Sequence, residues 1–152
     1  MSPSPRTIHQ LVSVRLSSRL HVHVETHNLG LVLEAPMDVV FSRINVVQPD
    51  IIFIAKARLH IVTPENIRGA PDLLVEILSP TTADIDRDIK RKLYARFGVK
   101  EYWLVNTDKQ RVEVYRARRR QFPSRPIVAR HTLESPLLSG LRIPLPEIWR
   151  QP

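Results

Sequence analysis

The chain contains no cysteine. Disulfides and thiolate metal sites are therefore excluded, and a reducing, cytoplasmic setting fits. No apolar run approaches the length needed to span a bilayer. The opening residues, MSPSPRTIHQ, have no apolar stretch of the secretory type, so no signal peptide and no membrane partner is expected. Repeats and low-complexity tracts are also missing. Acids are outnumbered: 15 Asp and Glu stand against 23 Lys and Arg, for a net charge of +8. A basic balance of this size attracts polyanions, nucleic acid among them, although a merely solvated basic surface has the same composition.

What is present fits one domain over residues 1–152 with a real core, 43% of the chain being hydrophobic. The thirteen prolines cluster toward the two ends. Ser4 and Pro5 read as an N-cap and first-turn proline. Ile8, Leu11, Val12, Leu16 and Leu20 then recur at helical spacing, predicting a helix over 6–20. GLVLEAP, DVVFS and VVQPDIIFIA read as strands, with SRIN as a turn. KARLHIVTPENIRGA is a linking loop with a short helical piece, and GAPDLLVEILSP is the next strand.

SPTT ends that strand and caps a helix whose early turns carry Asp84, Asp86 and Asp88. Ile85, Ile89, Leu93 and Phe97 form an i, i+4 stripe, and Gly98 closes the helix. EYWLVN and RVEVYR make a strand pair around TDKQ. The tail SPLLSGLRIPLPEIW is expected to fold its Leu, Ile and Trp149 back onto the core. The order predicts an α/β fold, helices around a mixed sheet, not repeated βαβ units.

Two of these strands carry acids where apolar residues belong. In GAPDLLVEILSP, Asp72, Leu74, Glu76 and Leu78 share one face. In VVQPDIIFIA, Gln48, Asp50, Ile52 and Ile54 share a face. If the strands are neighbours, Asp50 and Glu76 converge at one end of the sheet. Buried like charges repel, so such a pair calls for a cation from the chain or a hard divalent metal. Lys92 lies within about 20° of Ile85 on the helical wheel, inward beside the apolar stripe, while Lys90 and Arg91 point outward. Carboxylates holding Mg²⁺ beside a lysine suit phosphodiester hydrolysis. A structural reading stands next to this one. Asp72 follows proline and can cap a turn, Glu76 can pair with Lys92, and Lys92 can lay its stem over the core.

The segments NVVQPDIIFIA, GAPDLLVEILSPTT, KRKLYARFGVKEYWLVN and LLSGLRIPLPEIW together resemble the Uma-two family of restriction-type endonucleases, in the PD-(D/E)XK nuclease superfamily. The likeness runs from about Ser2 to Trp149, with four motifs in order. It implies a restriction-endonuclease-like mixed β-sheet flanked by helices, and Mg²⁺-dependent (or Mn²⁺-dependent) hydrolysis of DNA. Asp50 matches the aspartate of the PD motif and Glu76 the acid of the (D/E)XK motif, both as metal ligands. Leu78 stands where the lysine usually is, and the resemblance assigns that lysine to Lys92. Asp72 is implied as a further ligand or a supporting hydrogen-bond partner, with Gln48 and His9 in supporting roles. Asn106 stands where the family commonly has Asp, a position that shapes a turn. Family members carry a glutamate-bearing segment ahead of SPSPRTIHQ, and this sequence opens at Met1. A catalytically silent, nuclease-fold DNA-binding module is therefore the alternative, and a basic scaffold without nucleic acid a third. Nucleases that cut both strands often pair subunits, which implies a homodimer.

Two other patterns carry less. His21, His23 and His27 lie close together, but Glu25 is not adjacent to the first histidine as an HExxH zinc site requires. YRARRRQF gathers Arg116, Arg118, Arg119 and Arg120 at a strand end, fit either to track phosphates or to stand solvated. Trp103, at strand spacing with Val105, reads as core.

Overall fold

The computed structural model describes residues 6–78 and 85–152, the side chains of residues 85 and 86 excepted. The expected caps at Ser4–Pro5 and SPTT, and the placement of Asp84 and Asp86, lie outside the described residues.

Helix α1 spans Thr7–Thr26. It buries Val12, Leu16, Leu20 and Val24, each four residues on from the last. Val24 continues the series past Leu20, so the helix runs beyond the predicted end. The exit is tight. Asn28 takes a positive φ of 52°, and Gly30 follows at 149°. A Cβ on Gly30 would sit 2.0 Å from the Ile54 carbonyl oxygen, so only glycine fits where this chain meets the sheet.

The main sheet holds six strands: β1 (Gly30–Glu34), β4 (Ile51–Ala55), β6 (Leu73–Ile77), β7 (Glu101–Asn106), β8 (Arg111–Arg116) and β9 (Ile127–Ala129), in that spatial order. Every neighbouring pair is antiparallel except β6 and β7. That parallel pair needs a crossover, and helix α2 (Ile85–Phe97) supplies it. Two short strands, β2 (Val39–Val40) and β3 (Val46–Val47), join β5 (Ile67–Arg68) in a second sheet. A 3₁₀ helix, Lys56–Ile61, fills the predicted linking loop. Strands β10 (Thr132–Leu133) and β11 (Ile143–Pro144) lead into α3 (Leu145–Trp149). In the β7–β8 turn, Asn106 Oδ1 accepts the Lys109 N–H at 3.0 Å, the turn-shaping role expected of it.

Strand alternation divides the core in two. Phe53, Leu73, Val75, Trp103 and Val114 meet α1 and the tail residues Leu138, Leu141, Ile143, Ile148 and Trp149. Ile52, Ile54, Leu74, Tyr102 and Leu104 face Tyr94 of α2, with Val39 and Ile67 of the small sheet. The central strands are covered on both faces, which is why they read as nearly unbroken apolar runs. Burying each such side chain stabilises the fold by about 1.5–3 kcal/mol. Among the described residues, no helix is long and apolar enough to cross a membrane.

The phase of α2 differs from the one expected. Ile89, assigned to the inward stripe, is 64% exposed. Tyr94 and Ala95 are the buried residues, and Leu93 packs only partly. At 100° per residue, Lys90 lies about 40° from Tyr94 and Lys92 about 160° away. The inward side of the helix thus carries cations, set against acids of the sheet.

Candidate active site

Strands β4 and β6 pair with Ile51 opposite Val75 and Ile52 opposite Leu74. One step further in that register sets Asp50 opposite Glu76. The sequence placed these carboxylates at one end of the sheet, and the structure brings both into one cleft of about 170 Å³. Asp50 Oδ2 accepts the Ile77 N–H at 2.7 Å, so a side chain takes up a donor on the facing strand. Its Oδ1 lies 3.7 Å from His9 Nε2 of α1. Burial pushes the Asp50 carboxyl above its usual range. The Ile77 N–H and His9 oppose that rise, while the negative charge of Glu76 adds to it.

Glu76 is buried and held from three sides. Tyr94 of α2 donates its hydroxyl to Oε1, and Tyr102 of β7 donates to Oε2 at 3.2 Å. Lys90 Nζ stands 3.1 Å from Oε2 and 3.3 Å from Oε1. The two tyrosine rings meet edge to face with centroids 5.0 Å apart. Burial first, and the charge of Glu76 second, raise both phenols, so they stay protonated as donors. Arg87 also lines the cleft, joined to Glu113 of β8, which further accepts the Tyr115 hydroxyl at 3.0 Å. Acids on β6 and β8 therefore face α2, and they draw Arg87 and Lys90 to its inner side.

The other expected residues separate. Lys92 does not reach the carboxylates; it is exposed and lines a different groove. The cation on Glu76 is Lys90, two residues earlier, because Tyr94 and not Ile89 fixes which side of the helix is inside. Asp72 does not join the site either. It lies four residues from Glu76, about 13 Å along an extended strand. There it is fully buried, accepting the Ala55 N–H at 2.7 Å with Lys100 at 2.8 Å and Arg58 at 3.3 Å. It ties β6 to its neighbours. Gln48 sits at the rim, donating to Asp38 at 2.7 Å, and His9 lines the cleft. Leu78 is also in the lining. Lys90, Tyr94, Tyr102 and Arg87 were not singled out from sequence. The available signal was the i, i+4 pair Lys90–Tyr94, a lysine one turn before a buried aromatic.

Among the described residues, no group of three or more His, Cys, Asp and Glu is arranged to hold a metal. Two hard oxygen donors do meet in the cleft. That set fits Mg²⁺, which keeps several waters and commonly takes only one or two carboxylates together with substrate phosphates.

A family model, Uma2, described as "Putative restriction endonuclease", matches residues 1–146. Among solved structures, the chain is similar to that of a putative nuclease belonging to DUF820 from Anabaena variabilis ATCC 29413. The TM-score is 0.80 and the identity 20%, with 98% of this chain and 84% of that chain covered. At that identity the likeness establishes a shared fold. No curated protein matches the chain.

Proposed function

The chain belongs to the Uma2 family of nuclease-like proteins, and from that premise we propose that it hydrolyses DNA phosphodiester bonds with a divalent metal. The observation that carries this reading is the meeting of Asp50 and Glu76 across β4 and β6 in one cleft, with Lys90 beside them. Asp50 and Glu76 would hold Mg²⁺, or Mn²⁺ in its place. A divalent ion bound there polarises a phosphate and lowers the pKa of an attacking water.

The chain's own groups do the rest. Lys90 offers an ammonium to the charge that develops on phosphate oxygens. Tyr94 and Tyr102 fix the Glu76 carboxylate, and the Ile77 N–H fixes that of Asp50. His9 stands near Asp50 and can share or relay a proton at Nε2. Asp72 fastens the fold and takes no part in the chemistry. A single domain acting in the cytoplasm, and a homodimer where both strands are cut, complete the proposal.

One observation favours a second reading. Glu76 already has a lysine and two phenols, and no third acidic or histidine ligand joins it among the described residues. A DNA-binding module without cleavage would be built this way. Calorimetric titration with Mg²⁺, paired with plasmid nicking, separates the two. Under the nuclease reading the wild type binds metal and nicks, whereas Asp50→Ala loses metal binding and Glu76→Ala loses nicking. Equal nicking by wild type and Glu76→Ala would overturn the site. Salt-sensitive DNA binding with neither metal uptake nor nicking would establish the module instead.

A further inference from the structure

Between α2 and the segment 119–124 lies a second groove, of about 590 Å³. Lys92 and Arg96 of α2 line one wall, and Arg119 and Arg120 the other, with Phe122 beside them. Among the described residues, no carboxylate contributes to the lining. Ten of the other nineteen cations have acidic partners. Arg87, Lys90, Arg91, Lys100, Arg111 and Arg116 all pair with Asp or Glu. Lys92, Arg96, Arg119 and Arg120 make no ion pair among the described residues. Four like charges therefore stand together around one concavity, which raises the local concentration of anions.

The turn that presents two of them is itself costly. Arg118 and Gln121 bridge each other, with N–H to O distances of 2.8 and 3.0 Å in the two directions. The two residues between them, Arg119 and Arg120, have φ of 52° and 59°. A two-residue turn with both central φ positive favours Asn-Gly, and a long side chain is uncommon there. Arginine at both positions, against that preference, points to work for the guanidinium groups. The opposite wall is held firmly. Arg91 donates to the Ser124 carbonyl at 3.1 Å and lies 5.7 Å over the Tyr115 ring, tying the segment after the turn to α2.

We propose that this groove is a docking track for the sugar-phosphate backbone of duplex DNA, separate from the acid cleft. The inference rests on the nuclease reading and extends it to how substrate is held. Lys92 and Arg96 are four residues apart, about 6 Å along the helix axis, which matches roughly two nucleotide steps of one strand at 3.4 Å of axial rise each. Arginines on the other wall suit paired hydrogen bonds to phosphate oxygens.

The test measures binding of a fluorescein-labelled DNA duplex by anisotropy in EDTA, over a salt series, with the full chain. Wild type is compared with a double variant, Arg119→Asn with Arg120→Gly, and with Lys92→Ala plus Arg96→Ala. The double turn variant supplies the residues that the turn geometry prefers. It is expected to melt at or above the wild-type temperature while binding DNA at least tenfold more weakly at 0.15 M salt. Each variant should lower the slope of log Kd against log salt by about 2, near 0.9 for every phosphate no longer neutralised. Unchanged affinity and slope in both variants, with the wild type binding normally, would overturn the groove and leave the acid cleft standing. Tighter binding of poly-glutamate than of DNA would overturn the phosphate assignment. A wild type with no salt-dependent DNA binding would overturn the groove and the nuclease reading together.

Discussion

Asp72 immediately precedes the strand that carries Glu76, and both are buried, yet their surroundings are opposite in kind. Asp72 is enclosed by a backbone N–H and two cations that offset its charge. Glu76 meets neutral phenols, one lysine and the facing carboxylate of Asp50, and it opens to a cleft. The contrast separates a carboxylate that fastens a fold from one available for chemistry. Burial does not discriminate, and neither does charge type. What discriminates is whether the opposing charge is already complete.

Exchanging the lysines gives the largest expected contrast. Lys90→Ala should lower the nicking rate of the folded fraction by about 10²–10³-fold, by analogy with the loss of one charge-stabilising donor. Lys100→Ala should lower the melting temperature and leave the turnover of the folded fraction near wild type. Plasmid nicking beside thermal melts reads both. Equal activity losses in the two variants would erase the distinction between the ends of β6.

Next in size is Asp72→Asn, which keeps an acceptor for the Ala55 N–H but strands Arg58 and Lys100. Breaking a fully buried pair costs about 3–5 kcal/mol. Lys100 is 53% exposed and Arg58 28%, so solvent screening reduces the expectation to roughly 1–3 kcal/mol. Urea unfolding at constant m-value measures it, and an unchanged midpoint would show that the triad contributes nothing.

The smallest effect concerns a third buried acid, Glu101, held by Trp103 and Ser135 at 2.7 Å each. Burial raises its carboxyl above the ordinary 4.5, against the opposing pull of Trp103, Ser135 and Arg116. The folded state then binds a proton more readily than the unfolded one, so this group's contribution to stability falls as pH rises from the unfolded value through the folded one. Glu101→Gln removes that dependence. The melting temperature of the variant relative to wild type should therefore be higher at about pH 7 than at about pH 4. Asp50 titrates in the same sense in both proteins and cancels in the difference. A gap of the opposite sign would refute the raised carboxyl.

The strands were readable from sequence because residues 51–55 and 73–77 are apolar on both faces, and their anomalies, Asp50 and Glu76, stood out against that background. The turn at Asn106, the end of α2 at Gly98 and the return of the tail onto the core followed from local chemistry. The phase of α2 did not. Hydrophobic periodicity pointed Ile89 inward, yet that helix rests on Glu76 and Glu113, so its inner side is polar where it meets them and aromatic at Tyr94. A buried acid inverted the binary pattern of its neighbour, and periodicity favours Lys92 over Lys90 for that reason. Asp72 misled differently. Periodicity says nothing about which end of a strand opens to solvent.

The crossover from β6 through α2 to β7 has a consequence for the order of events in folding. Glu76 finds Lys90, Tyr94 and Tyr102 at separations of only 14, 18 and 26 residues. Each doubling of a loop adds only about 0.6 kcal/mol to its closure. Most of the grip on Glu76 is thus within reach of one strand–helix–strand excursion, and Asp50 joins it through the pairing of β4 with β6.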